Sequence, residues 1–97
     1  MEKREWGNSE TFKYSEDYKV RELTIKPGKN ISSQIHKTCS EFWVIVKGKV
    51  KVTIGGDTQL MQRNQHIYIP SNCKHKIENI TKDIVILVEI QVGKQIN

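Results

Sequence analysis

From Val20 onward the chain is a string of short β-forming runs separated by turn signals. Val20 to Lys26 closes on Pro27-Gly28, a strong turn dipeptide. Phe42 to Lys47 and Lys49 to Ile54 flank Gly48, and the second run alternates cleanly: Val50, Val52 and Ile54 on one face, Lys49, Lys51 and Thr53 on the other. Gly55-Gly56 predicts a hairpin turn into Asp57 to Met61. His66 to Ile69 stops at Pro70, His75 to Asn79 is another short strand, and Ile84 to Val92 is a long one. Residues before Val20 read as a polar lead-in. No stretch sustains a helical period, and there is no internal repeat or low-complexity linker. Many short strands with regular turns predict an all-β sandwich or barrel.

The alternation also assigns faces. If Glu41 points inward, so do Trp43 and Ile45, while Phe42, Val44 and Val46 face outward. On the last strand Glu89 and Gln91 share a face with Val85 and Leu87, and the other face, from Ile84 to Val92, is wholly apolar. The two apolar outer rows need a cover, which predicts a homodimer. Gln34 and His36, two apart, share a face of a strand, and Glu41 and His75 follow from neighbouring runs. These four nitrogen and oxygen donors form a candidate divalent-metal site with one anionic ligand. With no thiolate among them, zinc, manganese, iron, cobalt and nickel all remain open. Trp43 is a candidate platform for a sugar ring, against core packing as the commoner role of such a residue.

Composition narrows the partners. Ninety-seven residues make one small domain, 1–97. Sixteen Lys and Arg against eleven Asp and Glu give a net charge of +5, which suits anionic small molecules. The charge is spread along the chain without a recognition motif, so no nucleic-acid partner is expected. No apolar run has the length of a signal core or a membrane span, so a cytoplasmic protein without a membrane partner is expected. Cys39 and Cys73 are too few for a disulfide scaffold and read as unreactive free thiols, and His66 reads as a surface or half-buried residue.

Two stretches carry a resemblance. Gly28 to Gly48, with Gln34-x-His36 and Glu41, resembles the first motif of the cupin superfamily, with Gln34 in the first histidine position. Asn64 to Asn79, through Pro70, His75 and Asn79, resembles the second motif, with Asn64 and Asn72 where glycines are usual. Asparagine tolerates the left-handed conformation, so both replacements are mild. The resemblance implies a cupin jelly-roll β-barrel. A narrower likeness covers residues 4–93: Arg4-Glu5-Trp6-Gly7, Leu23 to Gly28, Glu41-x-Trp43 and Glu89-Ile90-Gln91-x-Gly93 resemble the cupin domain of type II phosphomannose isomerases.

That likeness implies a metal-dependent isomerase interconverting mannose 6-phosphate and fructose 6-phosphate. Glu89 and Lys76 become candidate catalytic residues, and Trp43, Lys37, Lys74, Lys76 and Gln91 candidate substrate contacts. Cys39 and Lys76 stand where the resembled family has arginines, and Phe42 where it has a histidine. These departures keep a second expectation open, a non-catalytic or differently catalytic metal cupin that binds a sugar or small acid.

Overall fold

The computed structural model describes residues 1–34 and 38–94, with the backbone alone at 32–34. Ten strands follow in chain order: β1 (Glu2–Arg4), β2 (Gly7–Tyr14), β3 (Tyr18–Ile25), β4 (Asn30–Gln34), β5 (Cys39–Lys47), β6 (Lys49–Ile54), β7 (Asp57–Gln62), β8 (His66–Ile69), β9 (His75–Glu78) and β10 (Val85–Gly93). They form a six-stranded sheet, β1-β2-β3-β10-β5-β8, and a four-stranded sheet, β4-β9-β6-β7. The described residues contain no helix, and the expected all-β jelly-roll barrel is the fold observed.

The polar lead-in is a correction to the sequence reading. It forms β1 and β2, which extend the larger sheet beyond β3. Their residues are mostly exposed and polar, as suits strands at a sheet edge, so hydrophobic alternation does not reveal them. Gly7 makes the docking of β2 possible. A Cβ there would lie 1.8 Å from the Thr24 carbonyl oxygen, on a backbone with φ of +153°. The two asparagines in glycine positions behave as their chemistry suggests, with φ of 74° at Asn64 and 60° at Asn72.

The sheets close on one apolar core. Leu23, Ile25, Ile45, Val85 and Leu87 from the larger sheet meet Val50, Val52, Met61 and Ile77 from the smaller. Each fully buried aliphatic side chain of this kind contributes about 1.5–3 kcal/mol. Toward one end the inward rows change character. On β10 the inward order Val85, Leu87, Glu89, Gln91 runs from apolar to polar. The register carries that change across the sheet: Arg21, Glu89, Trp43 and Ile67 lie side by side, as do Lys19, Gln91, Glu41 and Ile69.

Asn79 holds this arrangement together from outside the strands. Its buried amide nitrogen donates to the carbonyls of Ile25 at 3.0 Å, Lys26 at 3.1 Å and Asp83 at 2.7 Å. Its Oδ1 accepts from the backbone N–H of Thr81 at 3.0 Å and the Thr81 hydroxyl at 2.7 Å. One side chain thus fastens the segment leading into β10 to the end of β3.

Candidate functional site

The polar end of the barrel gathers Glu41 and Trp43 from β5, His75 from β9, Glu89 and Gln91 from β10, and Arg21 from β3. Strand alternation aims all of them inward, and all but Arg21 are fully buried. Arg21, Glu41, Trp43, His75 and Glu89 line a cavity of about 10 Å³, with Leu23, Ile31 and Ile77 closing its apolar side. A space of that size takes about one water or one ion.

The groups are linked in a chain. The Trp43 indole N–H donates to Glu41 Oε1 at 3.0 Å, and His75 Nε2 lies 3.2 Å from Glu41 Oε2. The Arg21 Nε–H donates to Glu89 Oε2, and the Gln91 amide donates to Glu89 Oε1 at 3.0 Å. His75 Nδ1 sits 3.2 Å from the Cys73 carbonyl, so that nitrogen carries the proton.

Charge divides unequally between the two carboxyls. Burial works to raise the Glu41 pKa, but hydrogen bonds from His75, Glu89 and Trp43 outweigh it and hold Glu41 at about 2. Burial raises Glu89, its hydrogen bond to Glu41 adds to the rise, and Arg21 offsets only part, leaving it at about 7. Burial lowers the His75 pKa, yet its hydrogen bond and charge attraction to Glu41 win, so the net shift is upward. Two carboxyls pushed apart in this way give one fixed anion and one proton donor.

The expected metal shell is described in part. Glu41 and His75 are brought together, and the backbone of Gln34 pairs with His75. The Gln34 side chain and all of His36 and Lys37 lie outside the described residues. Glu41 and His75 are donor types that a divalent ion takes, but among the described residues no group of three or more His, Cys, Asp or Glu side chains is placed to hold one. The Nδ1–H bond from His75 to the Cys73 carbonyl fixes the ring with its other nitrogen toward Glu41 Oε2.

The remaining candidates sort by position. Glu89 and Gln91 are in the barrel as expected, and Trp43 is there too, 3 % exposed and edge-on to the His75 ring at 5.4 Å. Lys76 is a correction. It alternates with the inward-facing His75 and Ile77, so it points away from the cavity and pairs with Glu78 at 2.8 Å. Lys74 is exposed and does not line the cavity. Cys39 and Cys73 form no disulfide, and His66 is exposed. The cation that does enter the site, Arg21, was absent from the sequence-derived set. Its signal was present: it shares a strand face with Leu23 and Ile25, where a charged residue needs a buried partner.

Comparison with known proteins places this geometry among relatives. A family described as mannose-6-phosphate isomerase C-terminal matches residues 2–97. A putative mannose-1-phosphate guanylyltransferase of Vibrio cholerae is 43% identical over 94 residues, which are 97% of this chain and 20% of that protein. A mannose-1-phosphate guanylyltransferase of Escherichia coli K12 is 40% identical over 90 residues, 93% of this chain and 19% of that protein. The chain therefore spans about a fifth of the length of the relatives it matches. Among solved structures, the Cnp3 cupin domain of Schizosaccharomyces pombe superposes with a TM-score of 0.84 at 21% identity, over 89% of this chain and 64% of that one. KdgF from Halomonas sp. superposes with a TM-score of 0.82 at 11% identity, over 90% and 78%. Both likenesses concern the cupin fold alone.

The relatives overturn the expected phosphomannose isomerase activity. They are named for guanylyl transfer, and this chain corresponds only to their cupin-like part. The geometry agrees with that correction. Cys39, in one arginine position, is buried, and Lys76, in the other, faces away from the site.

Proposed function

The chain belongs to the mannose-6-phosphate isomerase C-terminal family, and from that premise we propose that it is a ligand-holding module serving mannose-1-phosphate guanylyl transfer. Its role would be to hold an anionic mannosyl phosphate at the barrel mouth, leaving nucleotidyl transfer to the larger part that its relatives possess. Arg21 carries this reading. It is the cation of the cavity lining, its side chain is 20% exposed, and it reaches from the buried Glu89 toward solvent. Among the described residues its Nε–H is the one engaged, on Glu89 Oε2, and a guanidinium has four further N–H bonds arranged to grip phosphate oxygens. The cavity itself is too small for a sugar, so the ligand sits over it rather than in it.

Glu41 and His75, with Gln34 and His36 as expected further donors, are the residues that would hold a divalent ion beneath the ligand. Such an ion would supply positive charge to sugar or phosphate oxygens. Glu89, kept largely protonated below neutral pH, orients Arg21 without adding a second full negative charge under the phosphate. The relatives' biosynthetic names and the two unbridged thiols support a cytoplasmic setting.

Calorimetric titration with mannose 1-phosphate, mannose and inorganic phosphate, with and without added manganese or zinc, tests this reading. Mannose 1-phosphate should bind more tightly than either fragment. Arg21→Ala should weaken it by about tenfold or more, the loss of a charge-assisted contact worth roughly 1.5–3 kcal/mol. Absence of saturable binding at millimolar mannose 1-phosphate under every metal condition would overturn it.

A further inference from the structure

The net charge of +5 is spread along the sequence, but the fold gathers most of it at one end of the barrel. The base, away from the mouth, is built from residues 5–6, 26–29, 47–49, 62–65 and 79–84, where the strands begin or end. Lys26, Lys29, Lys47, Lys49, Arg63 and Lys82 stand on these segments, all exposed, against the two carboxylates Glu5 and Asp83. Six positive and two negative side chains place +4 of the +5 there. Among the described residues none of the six is ion-paired, whereas Arg4, Lys51, Lys76 and Lys94 elsewhere each have a glutamate partner. Glu78, near the base, is already held by Lys51 and Lys76.

Backbone contacts hold these segments as one surface. The Lys26 amide donates to the Trp6 carbonyl at 2.8 Å, the Asn79 amide to the Lys29 carbonyl at 2.9 Å, and the Asn64 amide to the Ile45 carbonyl at 2.9 Å. Pro27, Lys47, Gly48, Lys82, Asp83 and Ile84 line a single open cleft of about 470 Å³. The cations are thus displayed side by side on a fixed frame.

We propose that this base lies on an anionic lipid surface, with the barrel mouth turned toward solution. The apolar residues interleaved with the cations select a bilayer among polyanions. They are aliphatic: Ile80 is 56% and Ile84 39% exposed. Such side chains gain by entering the acyl boundary while lysines hold the headgroup phosphates above it. Nucleic acid is served instead by stacking platforms and arginine forks. The base offers one arginine, and the exposed rings Phe12, Tyr14, Tyr18, Phe42 and Tyr68 lie on β2, β3, β5 and β8. The lack of a spanning run bears on crossing a membrane, and lying on one needs only charge and a shallow apolar contact. The eight residues of β3, at about 3.3 Å each, set base and mouth some 20 Å or more apart, beyond the roughly 8 Å range of unscreened charge. Attachment therefore needs no ligand at the mouth, and a failure of ligand binding there leaves it untouched.

Co-sedimentation of the 97-residue chain with extruded vesicles tests this. Vesicles of phosphatidylcholine with about 30% phosphatidylglycerol should carry the protein down at about 50 mM salt, and pure phosphatidylcholine vesicles should not. About 300 mM salt should weaken binding tenfold or more. Each basic residue near an anionic surface strengthens association about fivefold, so Lys47→Glu with Lys82→Glu, a change of four charges, should weaken it about a hundredfold or more. Lys26→Glu with Lys29→Glu gives a second disruption of the same surface, and Ile80→Ser should weaken binding about threefold at an unchanged salt dependence. Lys13→Glu with Lys94→Glu makes the same change in net charge at the other end and should cost less than about fivefold. Circular dichroism checks that each variant keeps its β spectrum. Absence of binding to the anionic vesicles, or equal losses from base and control variants, would overturn the proposal. So would release from vesicles by about 10 mM inorganic phosphate at constant ionic strength, which would mark a small-anion site, or by a DNA duplex at equal phosphate concentration.

Discussion

Replacing Asn79 by alanine should cost more than almost any other single polar change in this chain. The side chain is 2% exposed, and its two amide hydrogens serve three backbone carbonyls, so one is shared. Its Oδ1 accepts two further bonds from Thr81. Four or five hydrogen bonds at about 1 kcal/mol each would disappear, and the Ile25 carbonyl would lose this partner in the interior. Asp83 keeps some compensation, since its carbonyl also accepts from the Thr81 hydroxyl at 3.1 Å. The expected loss is therefore about 3–5 kcal/mol. For a domain of this size, with total stability of roughly 5–15 kcal/mol, that leaves little margin. Urea denaturation followed by circular dichroism measures it, read as a lower midpoint at an unchanged slope. Thr81→Ala removes only the acceptor side and should cost about 1–2 kcal/mol. Asn79→Asp keeps the acceptor but points a carboxylate at three carbonyls, so it should be at least as damaging as alanine. An Asn79→Ala cost under about 1 kcal/mol, or a Thr81→Ala cost equal to it, would refute the idea that this amide fastens β10 to β3.

Two further outcomes follow from the site. In chelator-treated protein Glu89, raised to about 7, holds in the native state a proton that the unfolded chain loses near 4.5. Its contribution is thus full below about pH 4.5 and is lost as pH rises through 7, so melting temperature should fall across that window and Glu89→Gln should flatten the fall. An unchanged slope in the variant would show that Glu89 is not the group responsible. His36→Ala combined with His75→Ala should abolish bound divalent metal, measured by elemental analysis of purified protein, while the β spectrum persists. Retained metal in a folded double variant would place the ion elsewhere.

Some of this was legible in the chain and some was not, for identifiable reasons. Lys49–Ile54 and His66–Ile69 end where the sequence says, because Gly48, Gly55 and Pro70 punctuate them. The inward set Glu41, Trp43 and Ile45 follows from strict alternation and holds in the burial of β5. β1 and β2 escape notice because strands at an exposed edge need no apolar face. Lys76 was misplaced by family position, although its parity with His75 already assigns it to the opposite face. Arg21 was overlooked for the converse reason. A single arginine in a β-forming run looks ordinary until its partners Leu23 and Ile25 are seen to be core, and only the register with β10 reveals Glu89 as its acceptor.

The position of β10 also governs how the chain can reach its fold. It is the last of the ten strands in chain order, yet it lies between β3 and β5 and pairs with both. Until it emerges from the ribosome, the larger sheet exists only as two separated halves, each presenting an unpaired edge. Those edges are templates for pairing with other chains, and the long sequence separation between β3 and β10 makes their proper closure slow. Synthesis rate, nascent-chain crowding and premature termination should therefore weigh on the yield of this protein more than its small size suggests. A chain stopped short of Val85 would lack the strand that joins the two halves.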